Sequence, residues 1–563
     1  MVTLVRRSCA PLLTVVIALQ IAILAPAIAH AQRGKGTPFC NKLFNPTLNP
    51  TGTIFASQGA QMYCFGRQSN FGVNRRLALA SSSIPAIKNV DAADPAEDIS
   101  PNGTLGYGQS DTSIAAVGQY VVEAWNDSTG FVAPCPSPNS KEELTGFGFS
   151  NNGGASFTDL GGLPNINCAV SLYNGDPSVE AWEFQGGKFF YISSLFATTT
   201  AGLEVAVTAC QVVGSGRSST LGCSQPTVVA TSPSAGRSAL FKDFATIDPV
   251  RGRLYITYTD VAVNNSIAMA ACDLTSNPMQ HVCSNGSSTG PAYLVVAPPD
   301  PNQCDNDGSY PAVDVSTGDV YVAYEHNWPS VFATGRCLID PVKEVVTRIP
   351  SSCLTLPGPS PCKGPFPSTA ELVTSLSGAS VPGYNGFPMN DFPRIAVSPV
   401  HGTVSIVWND ARYKPSGDIL LQSWYTGHTF PAPVQSQPVV VDKASTAGKG
   451  WQFLPGMRNA DDDGNLYICW YGRAKPNSAI TDVFEAVGVN PRITVTPANI
   501  KITNVASDWN AVSSDIFPNF GDYTDNYVVA RGSGPPFTGE IDYIAWSDGR
   551  LGDPQPFEAH ITH

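Results

Sequence analysis

The sequence predicts an all-β chain: a seven-bladed β-propeller of four-stranded antiparallel blades, with six blades as the alternative, its ring closed by an N-terminal strand. Three observations predict it. A pattern of strand, tight turn and strand ending in an aromatic recurs seven times. Gly (51) and Pro (47) are abundant while charged residues make up only 14%, the profile of short strands joined by turns. The chain also ends on a third strand, which leaves the last blade one strand short.

The copies run over 113–127, 178–194, 244–260, 310–326, 393–410, 454–472 and a last one ending at 550. Their second-strand aromatics are Trp125, Tyr191, Tyr258, Tyr324, Trp408, Trp470 and Trp546, 62 to 84 residues apart, a period suited to a four-stranded blade with long loops. The second strands are apolar at nearly every position, as in YVAY at 321–324. A half-solvated strand alternates, so continuous apolar character means burial on both faces. Gly186, Gly187, Gly252, Gly318, Gly402 and Gly464 mark the hairpins, where positive φ is needed. Third strands follow at 144–150, 203–209, 266–271, 418–424, 482–487 and 557–563. The segment 76–87 is expected to supply the missing fourth strand of the last blade, removing an open edge.

Domain organisation follows. Residues 1–31 read as a signal peptide: Arg6 and Arg7, an apolar run, and Ala29-His30-Ala31 before the cut. Residues 32–104 are an N-terminal segment carrying the closing strand, and 105–563 are the propeller. No later segment is long and apolar enough to span a bilayer, so the expected location is secreted or periplasmic. The net charge of −13 argues against a nucleic-acid partner. Near-neighbour cysteines predict six local disulfides: Cys40/Cys64, Cys135/Cys168, Cys210/Cys223, Cys272/Cys283, Cys304/Cys337 and Cys353/Cys362. Cys469, in an apolar run, is expected as a buried thiol. No cofactor is expected. Asn459, Asp461 and Asp463 resemble the start of a calcium loop, but the twelfth position is Trp470; a turn is the preferred reading there and at 304–308, with a structural calcium as the alternative.

The segment SNNGGASF at 150–157 resembles the Asp-box of sialidase-type BNR repeats, with Ser150, Asn152, Gly154, Ser156 and Phe157 in register. NFGDYTDN at 519–526, followed by a strand ending WSDGR at 546–550, resembles the last repeat of secreted bacterial sialidase-like proteins. The resemblance covers about 105–563. It implies that the box is a turn between third and fourth strands, away from the ligand face.

In a meander, the ends of second strands share a face with the starts of first strands. Polar residues gather there in nearly every copy, among them Asp111 with Asn126, Asp176, Asp243 and Asp391, and that mouth is where a binding site is expected. A glycan or glycoconjugate is the expected ligand, with protein as a possible partner. Paired carboxylates suit glycosidic cleavage, and arginine suits a carboxylate. The resemblance implies, for a sialidase-like glycoside hydrolase, Tyr523 as nucleophile, Asp127 or Asp260 as acid, and Arg412, Arg473 and Arg550 as a carboxylate-binding triad. Asp410, Asp522, Asp548, Glu325 and Arg394 complete the candidate substrate-binding set. The family's Phe/Tyr-Arg-Ile-Pro motif is missing from the first copy; FPRI at 392–395 has another order. A non-catalytic propeller that binds protein or surface polymer is the alternative.

Overall fold

The computed structural model describes residues from Ile87 to His563. Residues 1–86, the internal segments 99–107, 132–142, 284–293, 300–303, 329–340, 355–361, 367–368, 375–380, 385–389, 443–449, 461–463, 493–498, 513–517 and 531–538, and some isolated positions lie outside the described residues. The leader, Cys40, Cys64, Cys135, Cys337, Asp461 and Asp463 fall among them.

Apart from a few 3-10 turns, the regular structure is β. Among the described residues the strands form six largely antiparallel sheets, four of four strands, one of five and one of eleven whose two halves, joined only by a short parallel contact, are counted separately. We number these sheets in chain order. Their first strands are Gln109–Val117, Ser178–Phe184, Ser238–Asp248, Asp305–Val313, Arg394–Ser398, Gln452–Asn459 and Asp525–Ala530. The second and third sheets are joined by a short parallel contact of Ser238 and Ala239 with Gly202 and Leu203, and no sheet closes on itself. The first strands touch in series. Gln109–Val117 lies against Ser178–Phe184, each later first strand lies against the next, and Asp525–Ala530 lies against both Gln452–Asn459 and Gln109–Val117.

The apolar second strands behave as their composition dictates. Val320, Tyr321, Val322 and Ala323 are all fully buried, because one face packs on the preceding sheet and the other on the following one. The core is thus a set of layers between consecutive sheets, such as Tyr255, Met269, Val322 and Val345 between the third and fourth and Val407, Leu421, Ile468 and Phe484 between the fifth and sixth. The hairpin glycine is required sterically at Gly252. Its φ is +60°, and an added Cβ would stand 2.6 Å from Thr275 and 2.9 Å from Trp182.

Six of the seven second-strand aromatics occupy one register position, next to the partner of the same first-strand residue. Tyr191 does not. Ser178 pairs with Ser193, which puts Ser194 where the other sheets carry the aromatic. The third strand of the fourth sheet, Lys343–Ile349, is an element the sequence pattern did not reveal. The last sheet takes its fourth strand from the N-terminal side, as Val90–Asp91 pairs with Phe557 and Glu558. That strand lies three residues beyond the expected segment, whose residues 76–86 are outside the described set.

The segment 150–157 is the turn between the third and fourth strands of the first sheet, Thr145–Ser150 and Thr158–Gly162. Ser150 Oγ accepts from Gly154 N at 3.0 Å, Asn152 Oδ1 accepts from Ser156 N at 3.0 Å, and Gly153 and Gly154 have positive φ. Three disulfides are formed among described residues, Cys210–Cys223, Cys272–Cys283 and Cys353–Cys362. Cys168 and Cys304 are also disulfide-bonded. Cys469 is a free, buried thiol that burial pushes well above its ordinary pKa. No helix of the described residues is long and apolar enough to cross a membrane.

Candidate functional site

The first strands carry a bulge at a shared place. The ladder register shifts between Ser110 and Ser113, Phe241 and Phe244, Asp307 and Tyr310, and Phe453 and Gly456. At the bulge the backbone is left-handed at Asp111, Lys242, Gly308 and Leu454, and Asp176 stands equally far ahead of Ser178 with φ 56°. Only glycine adopts that region without strain, so side chains held there mark positions that the surrounding structure dictates.

Three of these bulge residues meet. Asn126 Nδ2 donates to Asp111 Oδ2 at 2.5 Å and to Asp176 Oδ1 at 3.4 Å. Lys242 Nζ stands 3.4 Å from Asp176 Oδ2 and pairs closely with Asp522 Oδ2. Asp522 in turn donates its backbone N–H to Asp111 Oδ1. Asp111, Asp176, Lys242 and Asp522 come from the first, second, third and seventh repeats, and none is more than 9% exposed. Burial, together with the charges of Asp522 and Asp176, pushes the Asp111 carboxyl well above its usual range against the pull of Lys242. Burial works against the Lys242 ammonium, but Asp176, Asp522 and Asp111 outweigh it and hold it charged. A buried carboxyl raised above its usual range, beside two further carboxyl groups and an ammonium, is an arrangement that can serve proton transfer.

Two residues further along each first strand lies a second layer: Ser113, Ser178, Phe244, Tyr310, Arg394, Gly456 and Asp525. Ser113 Oγ donates to Asp525 Oδ2 at 2.8 Å. The Arg394 guanidinium lies 4.7, 5.1 and 5.4 Å from the ring centres of Phe244, Tyr310 and Tyr523, while its buried Nε and Nη1 have no hydrogen-bond partner. A third layer follows after two more residues. There Arg458 Nη1 of the sixth sheet donates to Glu180 Oε1 of the second at 2.9 Å. Ala115, Ala312 and Ala396 occupy the corresponding places of three other sheets, and the Arg458 guanidinium lies 5.8 and 5.4 Å from the ring centres of Tyr310 and Tyr527.

The sequence-nominated residues divide between this centre and its rim. Tyr523 and Arg394 pack together, and Asp522 belongs to the mouth. The Tyr523 hydroxyl donates to the Pro177 carbonyl at 2.9 Å, and burial pushes its pKa well up. Arg412 and Arg550 belong to a repeated corner of sequence Trp-x-Asp-x-Arg. Trp408 and Trp546 donate Nε1–H to Asp410 and Asp548, and Arg412 and Arg550 donate both backbone N–H and Nη2–H to the same carboxylates. Arg473 follows Trp470 by three residues, with Gly472 in the place of the corner aspartate, and donates to Thr481 Oγ1, Pro382 O and Ser478 O. The three arginines thus have separate partners. Asp127 accepts from Thr129 N and Oγ1 at 2.9 and 2.6 Å, capping a turn. Asp260 closes a second strand opposite Leu240 and Ser266. Glu325 lies in a row with Asp307 and Glu344 across three strands; burial and the charges of Asp391 and Asp307 push it well above its usual range.

Lys242, Glu180, Arg458 and Asp525 were not nominated from the sequence. The signal for Lys242 was present: it precedes Phe244 by two residues, as Asp111 precedes Ser113 and Asp176 precedes Ser178. Glu180 and Arg458 follow the same register by two.

No family model and no curated protein matches the chain. Solved structures similar to it include an α-L-arabinofuranosidase of Fusarium graminearum (10% identity over 84% of this chain and 97% of that one, TM-score 0.38). They also include an α-L-arabinanase of Penicillium chrysogenum complexed with arabinobiose (10%, 85% and 99%, TM-score 0.34) and a Trypanosoma rangeli sialidase (9%, 85% and 75%, TM-score 0.33). Similarity of this size leaves the reading of activity to the chain's own residues.

Proposed function

We propose that the chain is an exported seven-bladed propeller, closed by the Val90–Asp91 strand, that binds a glycan at the mouth formed by Asp111, Asp176, Lys242 and Asp522. Glycoside hydrolysis is the reaction class this site suits, with Asp111, whose carboxyl burial raises, as the acid and Asp522 or Asp176 as the second carboxyl group. The observation that carries the reading is the meeting of these four side chains from four repeats. Hydroxyl-rich ligands need such mixed donors and acceptors. Export is supported by the leader-like first 31 residues and by disulfides, which persist in oxidising compartments. The turn at 150–157 carries the Asp-box resemblance. A calcium at 459–464 and a nucleic-acid partner form no part of the proposal.

The arginine pairings give a specific reason for a second reading. With Arg412 and Arg550 held by Asp410 and Asp548, a sialic-acid carboxylate has no ready triad, and a non-catalytic propeller recognising protein or surface polymer fits those corners. A fluorogenic glycoside screen of the mature protein separates the two. The hydrolase reading predicts turnover that Asp111→Asn lowers about 100-fold or more. Arg412→Ala with turnover retained assigns that arginine to its Asp410 corner. Equal, negligible turnover by wild type and both variants removes the hydrolase reading.

A further inference from the structure

A turn lies against Asp522 of the mouth proposed above. Residues 381–384, in the connection between the fourth and fifth sheets, form one tight turn in which Tyr384 N donates to Val381 O at 2.9 Å. Among the described residues this turn is part of no strand. It is fastened to the site through three successive residues. Arg473 Nη1 donates to Pro382 O at 2.6 Å, Asn519 Nδ2 donates to Gly383 O at 2.8 Å, and the Tyr384 hydroxyl donates to Asp522 Oδ1 at 3.4 Å. The Tyr384 ring stacks on Phe520 with centroids 5.1 Å apart. Gly383 has φ +77°, and an added Cβ would stand 2.8 Å from Trp509 Cβ. Around Phe520, two buried donors, Arg473 Nη2 and Trp509 Nε1, have no hydrogen-bond partner.

We infer that the 381–384 turn is a lid that occupies the mouth in place of a ligand. Asp522 is only 9% exposed, and its Oδ1 accepts from both Asn390 Nδ2 at 3.2 Å and the Tyr384 hydroxyl at 3.4 Å, so a ligand that takes the Tyr384 place reaches it after that hydroxyl has left while Asn390 stays. The Pro382 carbonyl and the Tyr384 hydroxyl hold places that an acceptor oxygen and a hydroxyl of the ligand take over. Arg473 Nη2 and Trp509 Nε1 are donors still open to further acceptors. The identity of the ligand rests on the glycan reading; the closure does not. Val381, 3% exposed in the core cluster with Trp451 and Phe453, anchors the turn, so opening moves Pro382, Gly383 and Tyr384 about that residue, and the three hydrogen bonds it breaks are remade to the incoming hydroxyl groups or to water.

Two variants test the lid. Gly383→Ala forces the turn off Trp509, and Tyr384→Phe removes only the hydroxyl at Asp522. Amide exchange over 519–524, which needs no ligand, is read by mass spectrometry beside the association rate of labelled neutral pentose and hexose oligosaccharides. The lid predicts about three- to tenfold faster exchange and association in Tyr384→Phe, and a larger increase in Gly383→Ala. Faster exchange without oligosaccharide binding by any form keeps the lid and removes the glycan reading. Unchanged exchange in both folded variants overturns the lid.

Discussion

At the scale of single residues, the Trp-x-Asp-x-Arg corner explains why arginines in the fifth and seventh repeats look like ligand-binding groups. Asp410 is fully buried. Burial alone would raise its pKa, but hydrogen bonds from Arg412 and Trp408 outweigh that and leave the carboxyl below its usual range. A carboxylate depressed in the folded state contributes stability above its unfolded pKa of about 3.9, and that contribution is lost as pH falls through the folded value. Asp410→Asn is expected to cost about 1–3 kcal/mol near pH 7, with the gap to wild type shrinking below about pH 4. Denaturant unfolding at both pH values checks this. A gap that is unchanged or wider in acid would refute the pairing. The residue types of the corner were legible in the sequence, but its role was not. An arginine two residues from an aspartate has the same letters whether it turns back onto that aspartate or faces a ligand.

At the scale of elements, the N-terminal strand joins the last sheet through buried carboxyl groups. Asp98 lies between Gln109 and Gln555, whose side-chain amides donate to it. Burial pushes Asp98 up to about 9 and the neighbouring Asp91 up to about 8. Groups raised in this way bind protons more tightly in the folded state. Their contribution is fully present below the unfolded value of about 3.9 and is lost as pH rises through the folded values. Attachment of Val90–Asp91 is therefore expected to weaken between about pH 4 and pH 9. Limited proteolysis at 92–98 should quicken across that window, and Asp98→Asn should flatten the upper part of the rise. A rate that falls with pH, once corrected for the protease, would contradict it. Elements were the most legible level. Continuous apolar runs gave the second strands, and glycines gave the hairpins. Fourth strands such as Val439–Val440 and Asn499–Lys501 were hidden because two or three residues carry no period. Tyr191 misled the register because an aromatic three positions early looks like the repeat.

At the scale of the whole molecule, the first strands bring together side chains that lie hundreds of residues apart. Seven copies were readable from sequence, and so was the common face that holds Asp111, Asp176 and Asp522. The partners across the centre were not. A residue's letter does not show which side chain of a distant strand it meets, as Arg458 meets Glu180, Tyr310 and Tyr527. The pairing of Arg458 with Glu180, residues 278 positions apart, exists only if the second and sixth sheets face each other across a shared centre. A double-mutant cycle on Glu180→Gln and Arg458→Met, read by equilibrium unfolding, tests that convergence most directly. The structure predicts that each single change destabilises by about 3–5 kcal/mol, because it strands a buried charge or donor, and that the double mutant recovers much of the loss through a coupling of about 2 kcal/mol or more. Single effects that add to within about 0.5 kcal/mol would place the two side chains apart and contradict the shared centre on which the mouth depends.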